Sequence, residues 1–535
     1  MPKQPNFLMF INDQHRADHL GCYGNNIVQT PNIDGIAATG TRFDKFYVST
    51  PICMPNRATL MTGRMPSLHG VRQNGIPLPL SQTTFTQLLR AAGYYTALFG
   101  KSHLQCISPN AIEVGLPVPD LNKTQPPTEL TEAQRDMWLD GDYEQESPPT
   151  WKEDPNFEPD LPFYGFDEVS LAIGHSDRVT GHYSRWLAER HPDPDSLRGP
   201  KNALSSNREI KAPQAWRTAV PEELYPTTFV AEKTIDFIKQ RGKSGGDKPF
   251  FAQCSFPDPH HPFTPPGKYF DMYDPADVPA PDAFFHPIEK LPPNVAALHA
   301  ERDQGKANKT GQRGFGCSEE EAREAIALNY GSITMIDDAI GRVLSALEES
   351  GEADNTVIVF TTDHGDFMGD HQLLLKAAIH YQGLIRVPCI WSDPTSSVSD
   401  NASNAFTGTL DLASSFLDRA GVEGFNGMQG LSLSRIAEGA PGHDSMIIEE
   451  SQRRGYMGFE PNFRARTIVA DQWRLTLYSG ANWGELYNLE NDPNEFDNLW
   501  DDPGHSGVRT EMLERLSRRM MDLSDSSPLS TGHGP

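Results

Sequence analysis

The sequence predicts an α/β fold, with a mostly parallel central sheet flanked by helices and a small antiparallel subdomain at the C-terminus. Short, apolar runs rich in β-forming residues alternate with helical patterns, which is typical of folds whose helices cover both faces of a parallel sheet. After about residue 440 the pattern changes to closely spaced strands. The chain has 535 residues, enough for two domains.

Each of the four apolar runs leads into polar residues. The runs cover residues 7–11, 95–99, 250–256 and 356–360, and the residues that follow include Asp13, Lys101, His260 and Asp363. Helical patterns over residues 84–92 and 319–350 separate them. Because ligands of open α/β sheets bind beyond the carboxyl ends of the strands, we expect these side chains to meet at one edge.

Two further regions are predicted around this core. Residues 109–221, rich in Pro, Asp, Glu and Trp, indicate a long insertion within a catalytic domain spanning 1–440. This insertion would form an active-site rim or a subunit contact, or else a solvated decoration. Residues 441–535 predict the C-terminal subdomain, with a hairpin over 466–478, a strand over 483–489 and a closing helix over 508–523.

Charge and cysteine usage limit the possible partners and the compartment. Lys and Arg number 46 against 72 Asp and Glu, a net charge of −26, so we expect no nucleic-acid or membrane partner. An anionic substrate would then require a local positive pocket. The N-terminal apolar run is too short for a signal peptide, and six scattered cysteines are typical of reduced thiols, which predicts a cytoplasmic protein.

The most specific motif is Cys53-Met54-Pro55-Asn56-Arg57, which extends to Thr62-Gly63-Arg64. A lone cysteine is more often a small buried hydrophobe. This motif, however, resembles the signature of the formylglycine-dependent (type I) sulfatases, which include the arylsulfatases and belong to the alkaline phosphatase superfamily. The resemblance implies an alkaline-phosphatase-like fold. It also implies that a formylglycine-generating maturation enzyme oxidises Cys53 to an aldehyde, whose hydrate is the nucleophile.

A divalent metal site is predicted beside Cys53. Asp13 and Asp363 follow predicted strands, and His364 stands where many sulfatases carry Asn, so the predicted ligands are Asp13, Cys53, Asp363 and His364. An imidazole among oxygen ligands favours Mn²⁺, with Ca²⁺ as the alternative. For each acid taken alone, the alternative is a turn or helix-capping role.

The resemblance also implies roles for the remaining residues. Lys101 would bind sulfate oxygens, and His103 would remove a proton from the spare hydroxyl of the hydrate. Alternation along an extended segment would place both on one face. His260, preferred to His261 by the family's spacing, and Lys376 would serve the leaving group and the sulfate.

Arg57 would neutralise the oxyanion at the start of a helix predicted over residues 56–62, with Pro55 in its first turn. Three other histidines are expected to be structural: His175, His182 and His443.

The branch of the family is decided by fewer residues. Gln14, Asn74 and the pair Asp363-His364 resemble phosphonate monoester hydrolases, in which Gln14 and Asn74 would contact the substrate. Lys101 and His103 are sulfatase-like. We therefore expect an arylsulfatase acting on small-molecule sulfate esters and promiscuous toward phosphonate and phosphate esters. The alternatives are a phosphonate monoester hydrolase or phosphodiesterase, or a binding protein that keeps only the fold. The family also suggests a homo-oligomer, a dimer or a tetramer.

Overall fold

The computed structural model describes residues 4–108, 122–127, 129–130, 133, 141–243, 248–287, 290–530 and 532. Its strands are β1 (Asn6–Asn12), β2 (Thr41–Phe43), β3 (Phe46–Tyr47), β4 (Tyr95–Gly100), β5 (Glu168–Ile173), β6 (Thr180–Gly181), β7 (Phe250–Ser255), β8 (Phe315–Gly316), β9 (Thr356–Thr362), β10 (Leu373–Leu374), β11 (Cys389–Ser392), β12 (Asn401–Ser403), β13 (Thr407–Gly408), β14 (Met446–Gln452), β15 (Phe463–Ala470), β16 (Trp473–Tyr478) and β17 (Gly484–Asn488).

The α-helices cover Pro31–Ala38, Cys53–Thr62, Pro66–His69, Phe85–Ala91, Pro148–Glu153, His182–Ala188, Pro226–Lys243, Pro293–Asp303, Glu319–Glu349, Gln382–Ile385, Asp411–Ala420, Leu433–Ala437 and Ser506–Asp522.

Nine strands form the central sheet in the order β12-β2-β11-β9-β1-β7-β4-β5-β6. The middle five, from β9 to β5, are parallel. Among the described residues, antiparallel pairing in this sheet is found outside these five strands, where β11 pairs with both β9 and β2, and β6 pairs with β5. The prediction of a mostly parallel α/β sheet is confirmed, and all five carboxyl ends lie on the same edge.

The central strand β1 is buried along its whole length, which explains its uninterrupted apolar sequence. Phe7 packs on one face of the sheet, where its ring meets Phe416 of helix Asp411–Ala420 at a centroid distance of 5.3 Å. Leu8 and Phe10 belong to the cluster on the other face, together with Ile336 of helix Glu319–Glu349. Helices therefore cover both faces, and only the strand ends are left for polar side chains.

The C-terminal strands β14 to β17 form a four-stranded antiparallel sheet, as predicted. The closing helix Ser506–Asp522 packs Met512 and Leu516 against it. Within this subdomain the buried guanidinium of Arg474 pairs with two carboxylates, Glu485 at 3.1 Å and Glu495. Glu495 also accepts a hydrogen bond from the backbone N–H of Gln382 at 2.8 Å, which ties the subdomain to the catalytic part.

The stretch predicted as an insertion is partly integral to the sheet. Much of residues 109–140 lies outside the described residues, but β5 pairs in parallel with β4 and adds the fifth parallel strand. The sequence pattern hid this strand because its polar residues Glu168 and Ser170 interrupt the apolar run. The part of the stretch from 168 to 173 is therefore core, not rim.

Candidate active site

Each of the five parallel strands delivers polar residues to the same edge. Asp13 follows β1, Lys101 follows β4 and Asp363 follows β9 directly, whereas His175 follows β5 after one glycine and His260 follows β7 in the next loop. All five are almost completely buried apart from the His175 side chain, which is 13% exposed. The expected convergence of the strand ends is what the structure shows.

A close approach between two neighbouring strands, β4 and β7, fixes the position where the Lys101 segment begins. Gly100 has a φ of 108°, and a Cβ there would lie 1.8 Å from the carbonyl oxygen of Ser255 on β7. That close approach excludes every side chain. It brings β4 against β7, where the backbone N–H of Lys101 donates to the same oxygen at 2.9 Å.

Cys53 and Arg57 enter from helix Cys53–Thr62. The helix begins at Cys53 itself, three residues before the predicted start, so Pro55 is its third residue and still costs no intrahelical hydrogen bond. The free N–H of Met54 is satisfied by the side-chain oxygen of Asn74 at 3.1 Å. Cys53 is 1% exposed and stands where the helix N-terminus favours negative charge.

The four predicted metal ligands come together. One ligand atom from each of Asp13, Cys53, Asp363 and His364 lies within 4.8 Å of all the others, and all four residues are buried. Nδ1 of His364 lies 2.8 Å from the carbonyl oxygen of Gly365, so that nitrogen carries the proton and Nε2 keeps its lone pair for the site. Such a backbone partner is the usual support of a metal-binding imidazole.

The side chain of Lys376 also reaches the cluster of predicted metal ligands. Its Nζ lies 3.1 Å from Cys53 Sγ, 3.0 Å from His364 Nε2 and 3.2 Å from His260 Nε2. Burial lowers the pKa of Lys376, but Cys53 and Asp13 raise it, and the pKa ends above its ordinary value. The ammonium is therefore a fixed positive charge beside Cys53.

A second ammonium group, that of Lys101, binds the carboxylate of Asp13. Lys101 Nζ contacts the Asp13 carboxylate and lies 2.7 Å from Nε2 of His175. Asp13, His175 and His260 also have the spacing of a three-ligand metal site, but the Lys101 ammonium already stands among them. Burial raises the pKa of Asp13, but Lys101 and His260 lower it well below its ordinary value.

The charges around Cys53 favour its ionised form. Burial and Asp13 raise the pKa of the thiol, but Lys376, His364 and Lys101 outweigh them and leave the pKa below its ordinary value. For His364, burial and Lys376 lower the pKa, whereas Cys53 and Asp363 raise it, and the net shift is upward. The pocket is thus built to hold a negative charge at position 53.

Arg57 is fixed by hydrogen bonds. Its Nε donates to Asp363 at 2.7 Å, and Nη1 donates to the carbonyl oxygen of Lys101 at 3.0 Å and to Ser255 Oγ at 3.1 Å. The remaining nitrogen, Nη2, is buried without a hydrogen-bond partner among the described residues. Arg57 therefore orients a predicted metal ligand and keeps one donor for an oxygen that enters the site.

His103 lies near the site, but the geometry assumed for it is wrong. Its φ is 58°, so the segment after β4 turns and is not extended. The backbone N–H groups of His103, Leu104 and Gln105 donate to the buried carboxylate of Glu146 at 2.7, 2.9 and 2.8 Å. Burial, Lys101 and His175 lower the pKa of His103 well below its ordinary value.

The two predicted substrate-binding residues differ in environment. Gln14 is buried; its amide nitrogen contacts Asp366 and its oxygen accepts from Lys376 Nζ at 3.1 Å. Asn74 is exposed, and its oxygen is already used by Met54 N–H, so it supports the start of the Cys53 helix. His261 lies beside His260 with its Nδ1 3.2 Å from the Gln14 amide.

His175 was expected to be structural, and the structure corrects this. Its ring stacks on His260 at a centroid distance of 3.6 Å, and its Nε2 lies 3.6 Å from Asp13 as well as next to Lys101. Burial and Lys101 lower its pKa to about 4. His175 lies two residues after the end of β5, a strand that the sequence analysis did not predict. Its position near a strand end would have marked it as a site residue. His182 and His443 bond instead to Glu158 and Asp411.

Comparison with known proteins identifies the family. The sulfatase family model matches residues 5–422, and a second model, N-sulphoglucosamine sulphohydrolase, C-terminal, matches residues 369–522. The chain belongs to the sulfatase family. The predicted recognition and the predicted class of enzyme are confirmed, and enzymes of this family generally use a formylglycine and a divalent metal.

The similar proteins include both predicted branches. An arylsulfatase of Clostridium perfringens is 29% identical, covering 99% of this chain and 98% of that protein. A multifunctional alkaline phosphatase superfamily protein of Trinickia caryophylli is 27% identical, and the match covers 96% of this chain and 95% of that protein. The crystal structure of a phosphonate monoester hydrolase of Agrobacterium radiobacter superposes with a TM-score of 0.76 at 24% identity, covering 99% and 100%. This last likeness shows the fold.

Proposed function

We propose that this sulfatase is of the arylsulfatase type, with a formylglycine made from Cys53 as its nucleophile and one divalent cation as its cofactor. The observation that carries the proposal is the placement of Cys53 Sγ at a helix N-terminus, among two carboxylates, one imidazole and the Lys376 ammonium. The arylsulfatase of Clostridium perfringens, similar over almost the whole chain, supports this type.

The residues present fit a divalent cation. Asp13, Asp363 and His364 offer two carboxylates and an imidazole whose Nε2 lone pair is free for the site, and position 53 completes the set. When bound, the cation would supply a Lewis acid that stabilises negative oxygen at this point. The mixed oxygen and nitrogen donors favour Mn²⁺ over Ca²⁺.

The chain's own cations would bind the sulfate ester. The charges of Lys101 and Lys376 both act on Cys53, and Nη2 of Arg57, which has no hydrogen-bond partner among the described residues, provides a further donor. Together they form a positive pocket inside a protein of net charge −26. Charged donors that are fixed before the substrate arrives need no reorganisation during the reaction. Such preorganisation is usually the largest contribution to electrostatic catalysis.

The leaving oxygen would meet Lys376 and His260. Nδ1 of His260 faces the carbonyl oxygen of His261, an acceptor only, so that nitrogen carries a proton. A neutral His260 then presents an Nε2 lone pair, which accepts from Lys376 Nζ at 3.2 Å. The ammonium of Lys376 would then be the donor to the leaving oxygen. A hydrogen bond of this kind suits a phenolate, which leaves without full protonation, and this favours aryl esters.

The experiment that tests the nucleophile is mass spectrometry of the peptide containing residue 53. Conversion to formylglycine replaces the sulfur and two hydrogens of the side chain by one oxygen. An unshifted thiol in active enzyme would contradict the proposal. Cys53→Ala should abolish turnover of an aryl sulfate and leave the fold intact, whereas the control Cys22→Ala, at a half-buried cysteine outside the site, should retain it.

The alternative is a phosphonate monoester hydrolase or phosphodiesterase. It is favoured by Asp363-His364 and by the buried Gln14 at the site, and the structural neighbour from Agrobacterium radiobacter carries that activity in its name. Rates on an aryl sulfate, choline sulfate, a phosphonate monoester and a phosphate diester, measured under one condition, rank the two. A faster rate on the phosphonate would favour the alternative.

A cytoplasmic location and a homo-oligomer, a dimer or a tetramer, are also proposed. All six cysteines are free, which supports a reducing compartment. Over the part of the chain that the structure describes, no helix is both long and apolar enough to cross a membrane. Light scattering of the purified protein tests the oligomeric state.

A further inference from the structure

The backbone of Lys376 is contacted by a loop that carries an unpaired arginine. The N–H of Gly314 donates to the carbonyl oxygen of Lys376 at 2.6 Å. On its other side the loop is held by Gln214, whose amide donates to Gly311 O at 2.9 Å and whose backbone oxygen accepts from Phe263 N–H. Because Phe263 closely follows His260, the loop bridges the two segments that would serve the leaving group.

Arg313 is the charged residue of this bridging loop. Its guanidinium lies over the ring of Tyr456 at 5.0 Å, and the Tyr456 hydroxyl donates to the Gly314 carbonyl oxygen, which fixes the pair beside the loop. Tyr456 follows β14, so the C-terminal subdomain supplies one wall of this position. Arg313 is thus separated from the reacting centre by one residue of backbone and the length of the Lys376 side chain.

The arginine bears its charge without a carboxylate partner. Over the described part of the chain, Arg313 forms no ion pair and donates no hydrogen bond, and neither does the side chain of Arg454, two residues after the end of β14. Burial and Arg454 lower the pKa of Arg313, whereas Tyr456 and Glu450 raise it, and the net shift is downward. The nearby Glu450 is already bound by His380 at 3.0 Å. The charge of half-buried Arg313, close to the charge of exposed Arg454, is unfavourable until an anion neutralises it.

We propose that Arg313, with Arg454, forms a subsite for a second anionic group, a sulfate or a carboxylate, carried on the leaving-group side of the sulfate ester. The inference rests on the proposed function, because it places this group relative to the ester that is cleaved. It names the substrate class as dianionic esters, such as a sulfated sugar or a carboxylated aryl sulfate. The guanidinium suits both anions, since its fork matches their paired oxygens.

The test measures binding without turnover. In a Cys53→Ala background, titration calorimetry compares three ligands. The first is a monosaccharide with one sulfate, the second is the same sugar with two sulfates, and the third is the uronic acid of that sugar with one sulfate. Arg313→Gln should weaken binding of both dianions about tenfold or more and change binding of the monosulfate less than about twofold, because a charged hydrogen bond is lost only for the dianions. The two dianions distinguish a second sulfate from a carboxylate.

Three further variants make the result decisive. Arg313→Lys should restore part of the affinity for the dianions, and Arg454→Gln, at an exposed position, should lower it without risk to folding. Arg518→Gln, an exposed arginine of the closing helix, makes the same charge change away from the loop and should have no effect. An equal loss for all ligands, or no loss for either dianion, overturns the subsite.

Kinetics separate this inference from the proposed function. With Cys53 intact, Arg313→Gln should lower kcat/KM for a carboxylated aryl sulfate and leave that for a neutral aryl sulfate unchanged. If the unmutated enzyme hydrolyses no sulfate ester, the proposed function fails, whereas the binding comparison still decides the subsite.

Discussion

Glu146 is expected to control the loop that carries Lys101 and His103. Its buried carboxylate accepts three backbone hydrogen bonds, from His103, Leu104 and Gln105. In Glu146→Ala these three N–H groups lose their acceptor in a buried place. Each unsatisfied buried donor costs about 1–3 kcal/mol, so we expect the three to cost about 3–9 kcal/mol, at the low end if water enters the space.

The same change should impair catalysis. His103 is the first residue of the freed backbone and Lys101 lies two residues before it. A displacement of about 1 Å at a positioned group can cost about 100-fold in rate. We therefore expect kcat/KM for an aryl sulfate to fall by roughly 10- to 100-fold. Urea unfolding measures the first effect, and initial rates measure the second.

Glu144→Ala is the matched control, because Glu144 is an exposed glutamate two residues away. It should change the free energy of unfolding by less than about 0.5 kcal/mol. If Glu146→Ala unfolds at the same urea concentration as the unmutated protein and keeps its kcat/KM, then the carboxylate does not hold this loop and the reasoning is refuted.

Three more changes test other parts of the structure. Asp363→Asn should weaken divalent metal binding at least tenfold, as measured by metal content after dialysis, because one of two ligand carboxylates becomes neutral; unchanged metal content would exclude Asp363 as a ligand. Arg474→Ala should destabilise the protein by about 3–5 kcal/mol in urea unfolding, since Glu485 and Glu495 lose their shared cation; a loss below 1 kcal/mol would count against it. Burial, partly offset by Arg474, raises the pKa of Glu495 from 4.5 to about 7. The folded state therefore binds this proton more tightly than the unfolded state does. The free energy of unfolding should fall as the pH rises from 4.5 to 7. Glu495→Gln should flatten that slope, and a slope equal to that of the unmutated protein would contradict the shift.

Most of the fold follows from local sequence. The runs at 7–11, 95–99, 250–256 and 356–360 became β1, β4, β7 and β9 with ends shifted by at most two residues, because both faces of these strands are covered and the apolar signal is continuous. β5 was missed because half of it is only partly buried and keeps polar residues.

The site was predictable as a set of residues but not as a geometry. Cys53, Asp13, Asp363 and His364 were found through motifs and strand ends, and the structure brings them together. Their roles stay predictions. The turn at His103 and the approach of His175 depend on tertiary contacts, with Glu146 and with β5, that no local pattern encodes.

The burial of Cys53 has a consequence for the order of events in the cell. A side chain that is 1% exposed is closed to any other enzyme once the chain has folded. Lys376 Nζ lies 3.1 Å from its Sγ, and the nearby backbone N–H of Gln382 is held by the carboxylate of Glu495, far along the chain, at 2.8 Å. If Cys53 is oxidised as proposed, the oxidising enzyme would need access to position 53 before these contacts form.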